Sequence, residues 1–140
     1  MKAYWDSSAL VEAAQNPAVR RALRKAGGIT RPHALAEIFS TLTAGRLGYR
    51  CEAEDATRIA QDLAADLEFV ELDANETLQA LSACREHGVR GGLVHDFLHA
   101  QAAAKARAPR IFTLNESDFR HLRLTLEIGR PPGTSEIKPA

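Results

Sequence analysis

Four acidic residues stand where an alternating strand and helix pattern brings distant parts of the chain together. They are Asp6, Glu37, Asp96 and Asp118. The first and last follow strand-like runs, and the middle two fall in the first turns of predicted helices. Crowded carboxylates repel one another unless positive charge lies between them, and a hard divalent cation is the usual partner for such oxygen ligands. The pattern therefore predicts a metal site that gathers Asp6, Glu37 and Asp96.

Each acid also has an ordinary structural explanation. Asp6 precedes a helix start and belongs to a preferred N-cap type, and Asp96 gains from the helix dipole in a first turn. Asn115 is placed to cap a short helix that contains Asp118. Their common location nevertheless favours a shared role, because open α/β sheets bind ligands beyond the carboxyl ends of their strands.

The helical segment that carries Glu37 has an apolar stripe. The stripe consists of Leu35, Ile38, Phe39 and Leu42, at the spacing i, i+3, i+4 and i+7. Glu37 points away from it at 100° per residue. The neighbours of Glu37 on that side are small, whereas a freely solvated face more often carries Lys, Arg or Glu. This pattern indicates that another part of the structure approaches Glu37 closely.

The elements that must position these acids alternate along the chain. Strand-like runs cover residues 3–6, 28–30, 68–72 and 110–114, with a further short strand at 124–128. Helical periodicity covers residues 8–14, 17–26, 33–47, 52–66, 75–87 and 93–108. This alternation predicts a parallel sheet with helices on both faces, a three-layer α/β/α sandwich of four to five strands.

Composition indicates an ordinary globular protein. The chain has 140 residues, of which 45% are hydrophobic and 26% charged. We expect one domain over residues 1–128 and a flexible tail at 129–140. No stretch is long enough for a membrane span and no signal peptide is recognisable, so we expect a cytoplasmic protein. Cys51 and Cys84 lie far apart without a metal-binding pattern around them.

The net charge is zero, with 18 basic and 18 acidic residues. Nucleic-acid binding must therefore come from a local patch rather than from the whole chain. Two groups of basic residues are candidates near the rim of the acidic edge. They are Arg46 and Arg50 after the Glu37 segment, and Arg20, Arg21, Arg24 and Lys25 on the second helical segment.

The acidic segments resemble the four motifs of PIN-domain ribonucleases, and most of all those of VapC-type toxins of bacterial toxin–antitoxin pairs. The segments read DSSAL at residues 6–10, HALAE at 33–37, VHDFLHA at 94–100 and TLNESDF at 113–119. They occur in the family's order and with its typical spacings. The resemblance covers about residues 1–128.

This resemblance implies a Mg²⁺ or Mn²⁺ site and hydrolysis of RNA phosphodiester bonds. By position, Asp6, Glu37 and Asp96 correspond to the core metal-binding acids, and Asp118 to the more variable fourth acid. Asn115 lies where some members place an additional acid, so either Asn115 or Asp118 supplies the fourth ligand. Ser8 is expected to orient either Asp6 or a metal-bound water from a second layer. The implied partners are RNA, a cognate antitoxin and a second copy of the chain.

Three other functions are compatible with parts of the sequence. His95 and His99 stand at i and i+4, as in zinc proteases, with Glu116 or His121 as a third ligand; we otherwise expect these two histidines to be partly exposed beside the metal site. An aspartyl phosphotransferase would use Asp6 as its nucleophile, although Ser8 stands where a second acid is usual. A noncatalytic PIN-like module that binds RNA or protein is the third alternative.

Overall fold

A computed structural model of the chain describes residues 1–45 and 48–134. It contains a five-stranded sheet, ordered β3-β2-β1-β4-β5, in which every neighbouring pair is parallel. The strands are β1 (Tyr4–Trp5), β2 (Gly28–Thr30), β3 (Leu67–Phe69), β4 (Arg110–Phe112) and β5 (Glu127–Gly129). The predicted parallel sheet is confirmed, including its short fifth strand.

Helices cover both faces of this sheet. They are α1 (Ser7–Gln15), α2 (Pro17–Ala26), α3 (His33–Thr43), α4 (Ala53–Ala64), α5 (Ala74–Ala83), α6 (Leu93–Lys105) and α7 (Glu116–His121). The first four helices contribute to one hydrophobic core and the last three to the other. The predicted three-layer α/β/α sandwich is therefore confirmed.

The central strand β1 separates the two cores. Tyr4 packs in the core of the later helices and Trp5 in the core of the earlier ones, because successive side chains of a strand point to opposite faces. Both are almost completely buried, as is typical of a parallel sheet covered on two sides. The Trp5 ring leaves no room beside β2, where a Cβ on Gly28 would lie 2.6 Å from its Cδ1 atom.

Side-chain caps explain several helix starts. Asp6 caps α1 by accepting a hydrogen bond from the backbone N–H of Ala9, so the N-cap prediction for Asp6 is confirmed. Asp73 and Glu76 form a capping box at the start of α5. Asn115 occupies the N-cap position of α7, as predicted, but its side chain makes no capping hydrogen bond.

Several details of the predicted helices and strands are wrong. In α3, Ala34, Ile38 and Leu42 form the buried line, whereas Phe39 is 37% exposed. The stripe is therefore displaced from the predicted one, because the neighbouring helices α1 and α4 decide which face of α3 is covered.

Strand β3 ends at Phe69 rather than residue 72. Helix α3 ends at Thr43, and Arg46 and Leu47 lie outside the described residues.

Residues 130–134 follow β5 and contact the first helices. Pro131 is buried, and the Asn16 side-chain amide donates a 3.3 Å hydrogen bond to the carbonyl oxygen of Gly133. Gly133 has a φ of 91°, and a Cβ there would lie 2.8 Å from the carbonyl carbon of Ala18. The flexible tail predicted from residue 129 remains a prediction, and residues 135–140 lie outside the described part. Among the described residues, no helix has the length and apolar character required to cross a membrane.

Candidate active site at the acidic sheet edge

The strand order reverses at β1, with β2 and β3 added on one side and β4 and β5 on the other. The neighbours of β1 are β2 on one side and β4 on the other, which makes the carboxyl ends of β1 and β4 the switch point of the topology. In this register Trp5 pairs with Phe112. The next residues along each strand, Asp6 and Thr113, are therefore side by side at the edge where such sheets bind ligands.

Asp6 is held by three hydrogen bonds at this edge. Its Oδ1 atom accepts from the backbone N–H of Ala9 at 2.9 Å and from the hydroxyl of Ser8 at 2.7 Å. Its Oδ2 atom accepts from the hydroxyl of Thr113 at 2.6 Å. Asp6 is only 2% exposed, and burial raises its pKa even though these bonds and the charge of His99 favour the ionised form. A carboxylate has about four acceptor positions, so Asp6 retains capacity for one further ligand.

Ser8 and Thr113 connect Asp6 to the loop after β4. The Ser8 hydroxyl accepts a 2.9 Å bond from the N–H of Leu114, and Thr113 Oγ1 accepts a 2.9 Å bond from the N–H of Asn115. Ser8 thus makes the contact that a residue orienting Asp6 requires. Sequence reasoning did not single out Thr113, although its place directly after a strand parallel to β1 is the signal that could have identified it.

Glu37 meets a histidine from the other side of the site. The Nε2 atom of His99 lies 2.9 Å from Oε1 of Glu37, whose side chain is 27% exposed. Burial on its own raises the pKa of Glu37. The hydrogen bond and charge of His99, with smaller effects of His33 and Ser7, outweigh burial and hold that pKa below its usual value. The predicted close approach to Glu37 is therefore made by α6.

His99 differs from its prediction. We expected His95 and His99 to be partly exposed, but His99 is 1% exposed and only His95 is exposed. Both ring nitrogens of His99 have partners, since Nδ1 lies 2.7 Å from the Tyr4 hydroxyl. A zinc site built on this pair would have to break one of those two hydrogen bonds. The geometry therefore argues against the zinc-protease interpretation.

Asp96 lies one helical turn before His99, in the first turn of α6. Its pKa is raised to about 6, first by burial and then by the negative charge of Asp6; Asp118 and Glu37 raise it further, and His99 opposes them. These charges act on Asp96 only because the four acids share one edge of the sheet. Asp118 is exposed on α7.

The acidic edge has the chemistry of a divalent-cation site, but its oxygens do not converge on one point. Among residues 1–45 and 48–134, no Lys or Arg forms an ion pair with Asp6, Asp96 or Asp118, and the negative charges of neighbouring acids add to burial in raising the pKa of Asp96. Carboxylate oxygens are the ligands that Mg²⁺ and Mn²⁺ prefer. Within the same ranges, no three His, Cys, Asp or Glu side chains form a group arranged to hold a metal ion. Holding one therefore requires some of these side chains to rotate.

The basic residues expected to bind RNA are distributed unevenly. Arg20 forms an ion pair with Asp66 at 2.8 Å and donates a 3.0 Å hydrogen bond to the carbonyl oxygen of Asp62. Arg50 is exposed, and Arg46 lies outside the described residues. Sequence reasoning missed Arg31, which follows β2 directly and is half-buried. Its charge acts on the Tyr4 hydroxyl, and its buried Nε atom has no hydrogen-bond partner in the described structure.

Comparison with models of known protein families gives a match to the PIN domain over residues 3–123. No curated protein and no solved structure matches the chain. The matched range contains all four acids of the sheet edge together with Ser8, Thr113 and Asn115.

Proposed function

Since this chain belongs to the PIN domain family, whose members are generally nucleases, we propose that it is an endoribonuclease that requires Mg²⁺ or Mn²⁺ and acts as the toxin of a type II toxin–antitoxin pair. The observation that carries the nuclease part is the unbalanced negative charge at the switch point of the sheet. The negative charges of Asp6, Glu37 and Asp118 all raise the pKa of Asp96 there. Asp6 is also buried, and burying a carboxylate is costly unless it is paired, so a role as an ordinary surface acid does not explain its position.

The proposed cation ligands are Asp6, Glu37, Asp96 and Asp118, with Asn115 as the alternative to Asp118. When bound, a divalent cation in such a site makes water a stronger acid and stabilises the negative charge that develops around phosphorus. Ser8 and Thr113 fix the direction of the Asp6 carboxylate through their hydroxyl groups. The half-exposed Glu37 is fixed in the same way by His99.

The reaction is the addition of water across a phosphodiester bond. The water oxygen forms a bond to phosphorus, the bond from phosphorus to the ester oxygen of the leaving nucleotide breaks, and that oxygen gains a proton. Asp96 or Asp118 accepts the proton that the attacking water loses. Asp6 is buried and Glu37 is bonded to His99, which leaves Asp96 and Asp118 for this role.

We assign to Arg31 a contact with a phosphate group of the RNA backbone. Arg31 directly follows β2, which pairs with β1, and it forms no ion pair among the described residues; such a cation is suited to a phosphate, because the guanidinium group presents several N–H donors to its oxygens. Phosphate contacts fix the position of a strand without reading its sequence. Arg31 would thus hold the strand whose bond is cleaved, while Arg20 is occupied by Asp66.

The toxin part of the proposal rests on the likeness of the acidic motifs to VapC-type toxins. It implies cellular RNA in the cytoplasm as the substrate, a cognate antitoxin as the inhibitor and a homodimer as the assembly. A groove of about 350 Å³ between α1, α2 and α4 contains none of the four acids, and we assign no partner to it.

The decisive experiment is cleavage of labelled RNA by purified protein in Mg²⁺, in Mn²⁺ and in EDTA. Wild type should cleave only with metal, and Asp6→Asn and Asp96→Asn should each lose the activity. Asp55→Asn is the matched control, because Asp55 is an exposed acid of α4 paired with Arg58. Cleavage in EDTA, or equal cleavage by all four proteins, would refute the assignment.

A noncatalytic PIN-like binding module is the second candidate. The observation that favours it is the lack of convergence among the acidic side chains of the described residues. Such a module would bind RNA or protein without cleaving RNA under any metal condition. The same assay, combined with a binding measurement on uncleaved RNA, separates the two functions.

A further inference from the structure

A chain of two hydrogen bonds, one buried and one partly buried, links Tyr4, His99 and Glu37. The Tyr4 hydroxyl lies 2.7 Å from Nδ1 of His99, and Nε2 of the same ring lies 2.9 Å from Oε1 of Glu37. Tyr4 is completely buried and His99 is 1% exposed. The two rings also meet edge to face, with centroids 5.7 Å apart. The ring of His99 therefore has little freedom to turn.

The direction of the two hydrogen bonds follows from their chemistry. A carboxylate only accepts, so Nε2 of His99 must carry a proton that it donates to Glu37. When the ring is neutral, its other nitrogen, Nδ1, carries no proton and accepts the hydrogen bond of the Tyr4 hydroxyl, so the Tyr4 contact favours the tautomer that donates to Glu37.

The three residues come from the elements that carry the first three acids. Tyr4 stands two positions before Asp6 on β1, and His99 lies one turn after Asp96 on α6. Glu37 projects from α3, on the opposite side of the sheet from α6. The hydrogen-bond chain thus joins the two layers at the place where the acids meet.

We propose that Tyr4 and His99 are positioning residues that fix the Glu37 carboxylate at the acidic edge, where it takes part in cation binding. This inference rests on the proposed function. Neither residue touches RNA; both act through Glu37. Partners of this kind typically change metal affinity by about 10- to 100-fold when removed. A purely structural pair would instead change the stability of the fold and leave cation affinity unaltered.

The test is Mn²⁺ binding, measured by the electron paramagnetic resonance signal of free Mn²⁺, without RNA. Tyr4→Phe removes only the hydroxyl, and His99→Leu removes both ring nitrogens. We expect Tyr4→Phe to weaken Mn²⁺ binding about 10-fold and His99→Leu by up to about 100-fold. His99→Gln keeps an N–H donor for Glu37 and should recover part of the loss.

Matched controls remove the same groups elsewhere. Tyr49→Phe deletes a hydroxyl that accepts a hydrogen bond from Gln15, and His87→Gln alters a ring whose Nδ1 lies 2.7 Å from the carbonyl oxygen of Leu122. Both should bind Mn²⁺ as wild type does. Wild-type affinity in a folded Tyr4→Phe protein would overturn the inference while leaving the proposed function intact.

A measurement on the wild type covers the case in which His99 variants fail to fold. The ring nitrogens of His99 should shift in a ¹H–¹⁵N spectrum when Mg²⁺ is added, because Glu37 then shares its charge between the ring and the cation. Mg²⁺ binding without any shift of these nitrogens would overturn the inference. Wild type that binds neither Mn²⁺ nor Mg²⁺ would overturn the proposed function and the inference together.

Discussion

Thr113 donates a 2.6 Å hydrogen bond to Oδ2 of Asp6, although the two residues are 107 positions apart in the chain. The contact follows from the parallel pairing of β1 with β4, in which Trp5 lies opposite Phe112 and the next residue of each strand reaches the same edge. It gives a buried carboxylate a strong partner at the position where a ligand would bind. Asp6 is thereby both the cap of α1 and the centre of the candidate site.

Thr113→Val should destabilise the protein. The substitution keeps the shape of the side chain but removes the donor to Asp6 and the acceptor for the N–H of Asn115. Leaving buried polar groups unpaired costs about 1–3 kcal/mol, which denaturant unfolding would measure. Thr57→Val is the control, because Thr57 is exposed on α4 and bonds only a backbone carbonyl. Equal effects of the two changes would contradict this account.

Asp96→Asn should stabilise the metal-free protein at neutral pH. The pKa of Asp96 is raised from 3.8 to about 6, so folding favours its protonated form, and stability is lost as the pH rises from about 4 to about 6. Asp96 is only half-buried and solvent screens it, so we expect a gain of about 1–2 kcal/mol for the variant at pH 7. Urea unfolding in EDTA should show the gain at pH 7 and none at pH 4. A gain that is the same at both pH values would exclude this cause.

Mg²⁺ should reverse the order of stability of wild type and Asp96→Asn. A cation that binds only the folded state stabilises it by an amount that grows with the logarithm of its concentration over the dissociation constant, about 2.7 kcal/mol at a hundredfold excess. The thermal midpoint of wild type should therefore rise with Mg²⁺, while that of Asp96→Asn should rise far less. A similar rise for both proteins would place Mg²⁺ elsewhere. Ca²⁺ at equal ionic strength serves to compare the effect of ion size.

Arg31→Gln should weaken RNA binding without changing its sequence preference. Binding is best measured with Asp96→Asn as the background, so that no RNA is cleaved. Loss of one phosphate contact should reduce the slope of log affinity against log salt concentration by about 1. Arg21→Gln is the control, since Arg21 is exposed on α2. An unchanged slope for Arg31→Gln would remove this residue from the proposed interface.

Induced expression in a bacterial host tests the toxin role. Wild type should stop the growth of the host as cellular RNA is degraded, and Asp6→Asn should not. Protein levels are matched by immunoblot. Growth arrest by both proteins would point to a cause other than RNA cleavage. Normal growth with wild type that cleaves RNA in vitro would contradict the toxin role and leave the nuclease assignment in place.

Much of the fold and the identity of the acids could be predicted from the sequence. Buried apolar runs alternate with helical periodicity, and Gly and Pro mark the ends of elements, so strands such as Gly28–Thr30 and helices such as Pro17–Ala26 have the predicted bounds. The acids stand out because an α/β alternation places them at one edge. Boundaries at α3 and β3 were less accurate, since the neighbouring elements decide where a face stops being covered.

The sequence by itself determined that Asp6, Glu37, Asp96 and Asp118 belong to segments that meet at one end of a parallel sheet. Only the tertiary structure decided which side chains surround them. His99 was predicted as partly exposed and is buried, because the packing of α6 on the sheet places its ring against Tyr4. Thr113 and Arg31 lie near Asp6 because they follow β4 and β2, the two strands that pair with β1. Local periodicity shows which residues share a face of an element, whereas the choice of the covered face and the contacts between residues far apart in the chain depend on how whole elements pack.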